Sequence, residues 1–178
     1  MSMKERLKEA YESIRKKDPQ AAAGVVEELK KLPRTQEGIF DMESIDPDRY
    51  EAARWVYPVY AAYETACNKK EGYPDIMTQM RTINKLLKQN YTFENAAPAA
   101  DMLIRTIDCM SPEIYEYYRE LVDIFKENVK EIISRYLKED GDSVWAGKDS
   151  RACELFRGAV RQACQDYVLL TEKYQVFC

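Results

Sequence analysis

The sequence predicts an all-α fold of antiparallel helical hairpins, on three observations. Charged residues make up 33% and hydrophobic residues 46%, while Gly numbers only 6 and Pro only 7, a balance that favours long amphipathic helices over turn-rich β architecture. Apolar residues recur at helical spacing along most of the chain, and strand-like alternation is nearly absent. Short breaks carrying Pro, Gly or Asp-Pro fall between the periodic stretches, so consecutive helices should be antiparallel neighbours. At 178 residues the chain suits one hydrophobic core, and a single domain over 1–178 is expected.

Ser2 and Glu5 form a capping box ahead of Leu7, Ala10, Tyr11 and Ile14, giving a first helix over about 3–17. Asp18-Pro19 opens the second, with Ala22, Val25, Val26 and Leu29 as its buried stripe until Leu32-Pro33 stops it. Residues 34–46 carry no helical stripe and contain Gly38, so they read as a loop ending at Asp46-Pro47. A third helix follows, with Ala52, Trp55, Val56, Val59, Tyr60, Tyr63 and Ala66 inward and Pro58 as an interior kink. After a break at 68–72, Pro74 opens a fourth helix through Ile76, Met77, Met80, Ile83 and Leu87.

Asn95 or Thr92 caps a fifth helix carrying Ala96, Ala100, Leu103, Ile104 and Ile107. Ser111-Pro112-Glu113 then launches the longest one, about 112–138, with Ile114, Tyr117, Tyr118, Leu121, Phe125 and Val129 on one face and Tyr115 outside it. Asp140-Gly141-Asp142 reads as a turn, 143–147 as a short extended piece, and 150–172 as a last helix. Seven or so helices result.

Composition excludes several functions. The net charge of -4 arises from 31 acidic and 27 basic residues spread along the chain, without a basic block to collect phosphates, so nucleic acid is not an expected partner. The opening residues are already charged and helical in pattern, and no apolar run has the length of a signal core or membrane span, which points to the cytoplasm and no membrane. Five separated cysteines (Cys67, Cys109, Cys153, Cys164, Cys178) without a CxxC pair read as reduced, buried hydrophobes. The absence of histidine removes Ser-His and Cys-His nucleophile pairs and histidine zinc ligands. No metal or cofactor is expected, and any catalysis must run on carboxylates, Tyr, Lys, Arg or Cys.

The string Leu32-Pro33-Arg34-Thr35-Gln36-Glu37-Gly38-Ile39-Phe40 has no helical purpose, and Trp55-Val56-Tyr57-Pro58-Val59-Tyr60 follows it on a proline-containing helix. Together they resemble glycoside hydrolase families 88 and 105, the unsaturated glucuronyl and rhamnogalacturonyl hydrolases, at their PRT-x-EG-x-F junction and Pro-aromatic helix. Weaker likeness continues through Tyr73-Pro74-Asp75, Ser111-Pro112 and Asp149-Ser150, so it spans about residues 20–170. The resemblance implies hairpins arranged in a partial (α/α) toroid, about half of an (α/α)6 barrel. It also implies hydration of the double bond of an unsaturated uronic acid, with a carboxylic acid protonating the enol ether.

The family's acid maps onto Glu51, where the family has Asp, with Asp48 (or Asp46) as the alternative. Arg34 would hold the uronate carboxylate through its planar fork, and Glu37, Trp55 and Tyr60 would line the sugar. Each also has a plainer reading: Glu51 as an acid at a helix start, Arg34 and Glu37 as a local pair bracing the loop, Trp55 and Tyr60 as core. Asp41 and Met42 follow Phe40 where the family has an aromatic and a histidine, and the family's second catalytic aspartate region is cut out between Asn90 and Ala96. Two functions therefore stand side by side. One is a hydrolase relative with an oligosaccharide ligand; the other is a non-catalytic interaction or accessory module, whose open ends a homodimer would cover.

Overall fold

The computed structural model describes residues 1–90 and 93–132. They form six α-helices: α1 Met3–Arg15, α2 Ala23–Lys30, α3 Arg49–Ala66, α4 Tyr73–Gln89, α5 Phe93–Cys109 and α6 Tyr115–Ile132. Short 3₁₀ turns at Pro19–Ala22, Met42–Ser44 and Lys70–Gly72 join them. Among the described residues no strand forms, and Arg34 and Phe40 make an isolated antiparallel bridge. The all-α expectation therefore holds there. The turn at 140–142, the extended piece at 143–147 and the helix at 150–172 lie outside the described residues.

Local chemistry explains most boundaries. Ser2 and Glu5 close a reciprocal box, Glu5 N–H donating to Ser2 Oγ at 3.2 Å and Ser2 N–H to Glu5 Oε2 at 2.7 Å, which satisfies two of the first free amides of α1. The Pro19 start is a 3₁₀ turn rather than α-helix, so the second helix proper is short. Asp48 accepts from the N–H groups of Tyr50 and Glu51 and so caps α3.

One expected boundary moves, and one of two cap candidates is set aside. α5 begins at Phe93, directly after Thr92, the other cap candidate, which lies outside the described residues; Asn95 falls inside the helix, where its amide donates to Asn90 O at 2.8 Å. α6 begins at Tyr115 rather than at Pro112, because Ile114 N–H first closes a turn onto Ser111 O at 3.1 Å. Tyr115 is exposed, as its register predicts, while Tyr118 is fully buried.

Residue pairs give the helix directions. Tyr57 meets Gln79 and Thr65 meets Tyr73, so α3 and α4 run antiparallel as a hairpin. Lys4 reaches Asp46, just ahead of α3, and Tyr11 packs on Trp55, so α1 and α3 run parallel. Arg105 lies over Tyr11 and Arg15 pairs with Asp108, so α5 is parallel to α1. On the other side Arg81 pairs with Glu120 and Lys88 with Glu127, both at a separation of 39 residues, which makes α4 and α6 parallel in fixed register.

α3 packs on α1, α2, α4 and α5 and is buried on nearly every side, with Ala52, Ala53, Val56, Tyr57, Val59, Tyr60, Ala61, Ala62 and Tyr63 in the core. The expected one-sided stripe underestimates this. Ala66, expected inside, is exposed at the end of the helix, whereas Tyr57 is fully buried. In α4, Ile76, Met77, Met80, Ile83 and Leu87 are all buried as their spacing predicts. Among the described residues no helix is long and apolar enough to cross a membrane.

Candidate functional site

The Pro33–Phe40 string folds into a tight turn that its residues dictate. Gly38 has φ +86°, a left-handed conformation that a side chain would strain, and its N–H donates to Thr35 O at 2.9 Å. Thr35 N–H donates to Ile39 O at 2.8 Å and Asp41 N–H to Pro33 O at 3.0 Å, so the chain doubles back and sets Phe40 beneath Arg34. The guanidinium stacks over the Phe40 ring at 4.3 Å.

Arg34 does not pair with Glu37. Its fork instead grips Asp75 in the first turn of α4, Nη1 to Oδ1 at 3.0 Å and Nη2 to Oδ2 at 2.9 Å, with a further bond to Gly38 O. That carboxylate holds the Arg34 proton more tightly than usual. Reach decides the partner: the turn that stacks Arg34 on Phe40 also aims its fork at the start of α4, which supplies a planar carboxylate of matching geometry.

Behind this pair lies a buried polar relay. Gln79 Nε2 donates to Asp75 Oδ2 at 3.0 Å, and Gln79 Oε1 accepts from Phe40 N–H at 2.9 Å and Tyr57 O–H at 3.0 Å. Gln79 is fully buried and Tyr57 also, and burial pushes the Tyr57 phenol well above its ordinary value, so it remains a neutral donor. Tyr60 packs its ring at 6.1 Å from Phe40, and its phenol is pushed up to about 12, chiefly by burial.

Glu51 and Trp55 sit elsewhere. At about 100° per residue, Glu51 and Trp55 share one face of α3, and Tyr60 lies roughly half a turn away from Glu51. Glu51 is three-quarters buried and lies 3.5 Å from Arg54, which also holds Asp101 of α5. Trp55 meets the Tyr11 ring edge-on at 6.2 Å, with Arg105 at 4.4 Å and Lys8 at 5.3 Å over its own ring. Thus α3 splits the expected constellation: Arg34 and Tyr60 on the α4 side, Glu51 and Trp55 on the α1–α5 side. Among the described residues no hydrogen bond or ion pair joins the two groups. Asp48, the alternative acid, is engaged as the cap of α3, and Asp46 pairs with Lys4 at 2.7 Å.

A depression of about 210 Å³ opens beside the same turn, lined by Thr35, Glu37, Ile39, Phe40, Asp41, Met42, Glu43 and Arg49. Of the expected site residues it contains Glu37. Its lining mixes the buried Ile39, Phe40 and Met42 with three carboxylates, Glu37, Asp41 and Glu43, and Arg49 is already on Glu43 at 3.0 Å. That charge repels a uronate and leaves acceptors for neutral hydroxyls. Among the described residues no group of His, Cys, Asp and Glu is arranged to hold a metal ion.

Among the described residues, the carboxyl that does carry an acid-like environment is Glu64, which sequence reasoning passed over. It is only 2% exposed, and burial raises its carboxyl above the ordinary value despite Lys30 Nζ at 3.4 Å. The signal lay in register: Glu64 follows Tyr57 and Tyr60 at helical spacing, on a face that is otherwise apolar or aromatic. No family model, curated protein or solved structure matches this chain.

Proposed function

We propose that the chain is a shortened, glycoside hydrolase-like helical arc that has lost hydrolase chemistry and serves as an accessory or interaction module. The observation that carries this reading is the separation of Arg34 from Glu51 across α3, each engaged by a partner of its own, Asp75 and Arg54. Hydration of an unsaturated uronide needs an acid and a carboxylate receptor converging on one sugar, within about 1 Å of the productive geometry. Here the receptor's fork is filled by an internal carboxylate and the acid faces a different helix pair.

The parallel registers of α1, α3 and α5, and of α4 and α6, support the arc. Successive inner helices of an α/α toroid run parallel, as do successive outer ones. Among the described residues Met1 and Tyr115 are the large hydrophobics left exposed, so no apolar face there calls for a homodimer. The depression at Thr35–Arg49 favours a second reading, retained binding of an oligosaccharide without turnover. The ligand suited to it is a neutral sugar, because its carboxylates can accept hydrogen bonds from sugar hydroxyls.

Titration calorimetry separates the two. Under the accessory reading neither an unsaturated glycuronyl disaccharide nor a neutral oligosaccharide releases heat. Saturable heat with a neutral oligosaccharide, lost in Glu37→Ala, would replace it with the binding reading.

A further inference from the structure

The end of α2, the end of α3 and the start of α4 meet on the Glu64 carboxyl. The turn leaving α3 passes Asn68 in the left-handed region at φ 54°, and Lys69 N–H donates to Glu64 O at 2.7 Å. This brings the 3₁₀ turn Lys70–Gly72 down onto the Glu64 side chain. A Cβ at Gly72 would lie 2.7 Å from Glu64 Oε1 and 3.0 Å from the Tyr60 hydroxyl, so only bare backbone fits there. α4 starts directly after Gly72 and has no side-chain cap, so its first turn depends on how this turn is seated.

The carboxyl is poorly provided for as an anion. Glu64 Oε1 has Lys30 at 3.4 Å, whose own side chain is one-third exposed, and Glu64 Oε2 is buried with no hydrogen-bond partner. The charged and titratable groups around it are mixed: Lys30 from α2, Tyr60 and Tyr63 from α3, Lys69 and Glu71 from the turn, and Tyr73 from α4. Of these, Glu71 opposes ionisation and Lys30 and Lys69 favour it. A buried carboxylate oxygen without a donor is costly, and two routes relieve it: taking up a proton or opening to water.

We infer that Glu64 is a proton-controlled latch: protonated, it seats the Lys70–Gly72 turn and the first turn of α4, and ionised, it admits water and loosens that junction. The proton goes onto the orphaned Oε2 from solvent, and no other group changes charge. Lys30, at the surface end of the cluster, sets where the change falls. Removing it leaves the anion less compensated and moves the opening to a lower degree of ionisation.

The test is amide hydrogen exchange by NMR at pH 5 and pH 8, expressed as protection factors so that the intrinsic pH dependence cancels. For the amides of Gly72, Tyr73, Asp75 and Ile76, protection should fall severalfold from pH 5 to pH 8, because the ordered junction prefers the protonated carboxyl. The α1 amides should not change. Glu64→Gln should keep the pH 5 protection at both values, and Lys30→Met should enlarge the fall. A pH-independent protection in the native chain overturns the latch, as does an equal fall in Glu64→Gln. If Glu64→Gln does not fold, Lys30→Met decides alone: an unchanged fall in that variant overturns it.

Discussion

Arg34 and Asp75, 41 residues apart, meet fork to carboxylate at 3.0 and 2.9 Å over the face of Phe40. This contact ties the loop after α2 to the first turn of α4, and it occupies the residue that the family resemblance assigns to a substrate. Its two side chains are more than a third exposed, so solvent screens the attraction. The value of the contact lies in orientation more than in energy.

Asp75→Asn therefore should lower unfolding stability by under about 1 kcal/mol. Arg34→Ala should cost more than Asp75→Asn, since it also removes the stack on Phe40. Urea titrations of the two variants check the order, and a larger loss in Asp75→Asn would refute it.

Gln79 is the buried centre of the relay. Gln79→Leu removes the acceptor of both Phe40 N–H and Tyr57 O–H and leaves two donors stranded in the core. The expected loss is about 2–4 kcal/mol, larger than for either partner of the exposed ion pair. Thermal or chemical unfolding measures it, and a loss below that of Asp75→Asn contradicts the relay.

Gly72→Ala places a methyl group 2.7 Å from Glu64 Oε1. The carboxyl and the Tyr60 hydroxyl are both enclosed, so the clash should cost about 1–3 kcal/mol. Gly24→Ala is the control, because nothing lies within 4 Å of a Cβ there. In the first turn of α2 it should be neutral or stabilising by up to about 1 kcal/mol.

The pH dependence of stability follows from Glu64. Its folded value is raised by burial, so between the ordinary carboxylate value and the raised one the folded chain binds more protons than the unfolded chain. This contribution to stability is present at low pH and is lost as pH climbs through that window. Glu64→Gln should remove that slope from a plot of urea midpoint against pH, and an unchanged slope would assign it to other groups.

Cys109 is buried beside the Tyr11 hydroxyl at 3.9 Å, and burial pushes its thiol up to about 11. At pH 8 its thiolate fraction is then about one in a thousand, so alkylation should modify the half-buried Cys67 well before Cys109. Peptide mapping of a time course shows the order directly.

Features carried by neighbours in sequence were legible. The Ser2–Glu5 box, the stop at Pro33, the turn at Gly38 and the buried stripe of α4 all follow from residues within one or two helical turns. The start of α6 was not legible, nor the choice between Thr92 and Asn95 at α5, because Asn95 and Ser111 have polar side chains that serve a helix interior and a preceding turn as readily as a cap. The partners of Arg34, Glu51 and Tyr57 lie on other helices, and periodicity carries no information about which helix comes to lie against which face. Glu64 was readable in principle, as an acid in register with Tyr57 and Tyr60. The resemblance drew attention to Glu51 instead.

The separation of Arg34 from Glu51 across α3 is tested most directly by turnover of a Δ4,5-unsaturated glycuronyl disaccharide, followed by loss of its conjugated ultraviolet absorbance. The account predicts no loss above the protein-free rate at any pH where the chain is folded. Turnover by the native chain that disappears in Glu51→Gln would contradict it, and would place a working acid on the α1–α5 side of the helix.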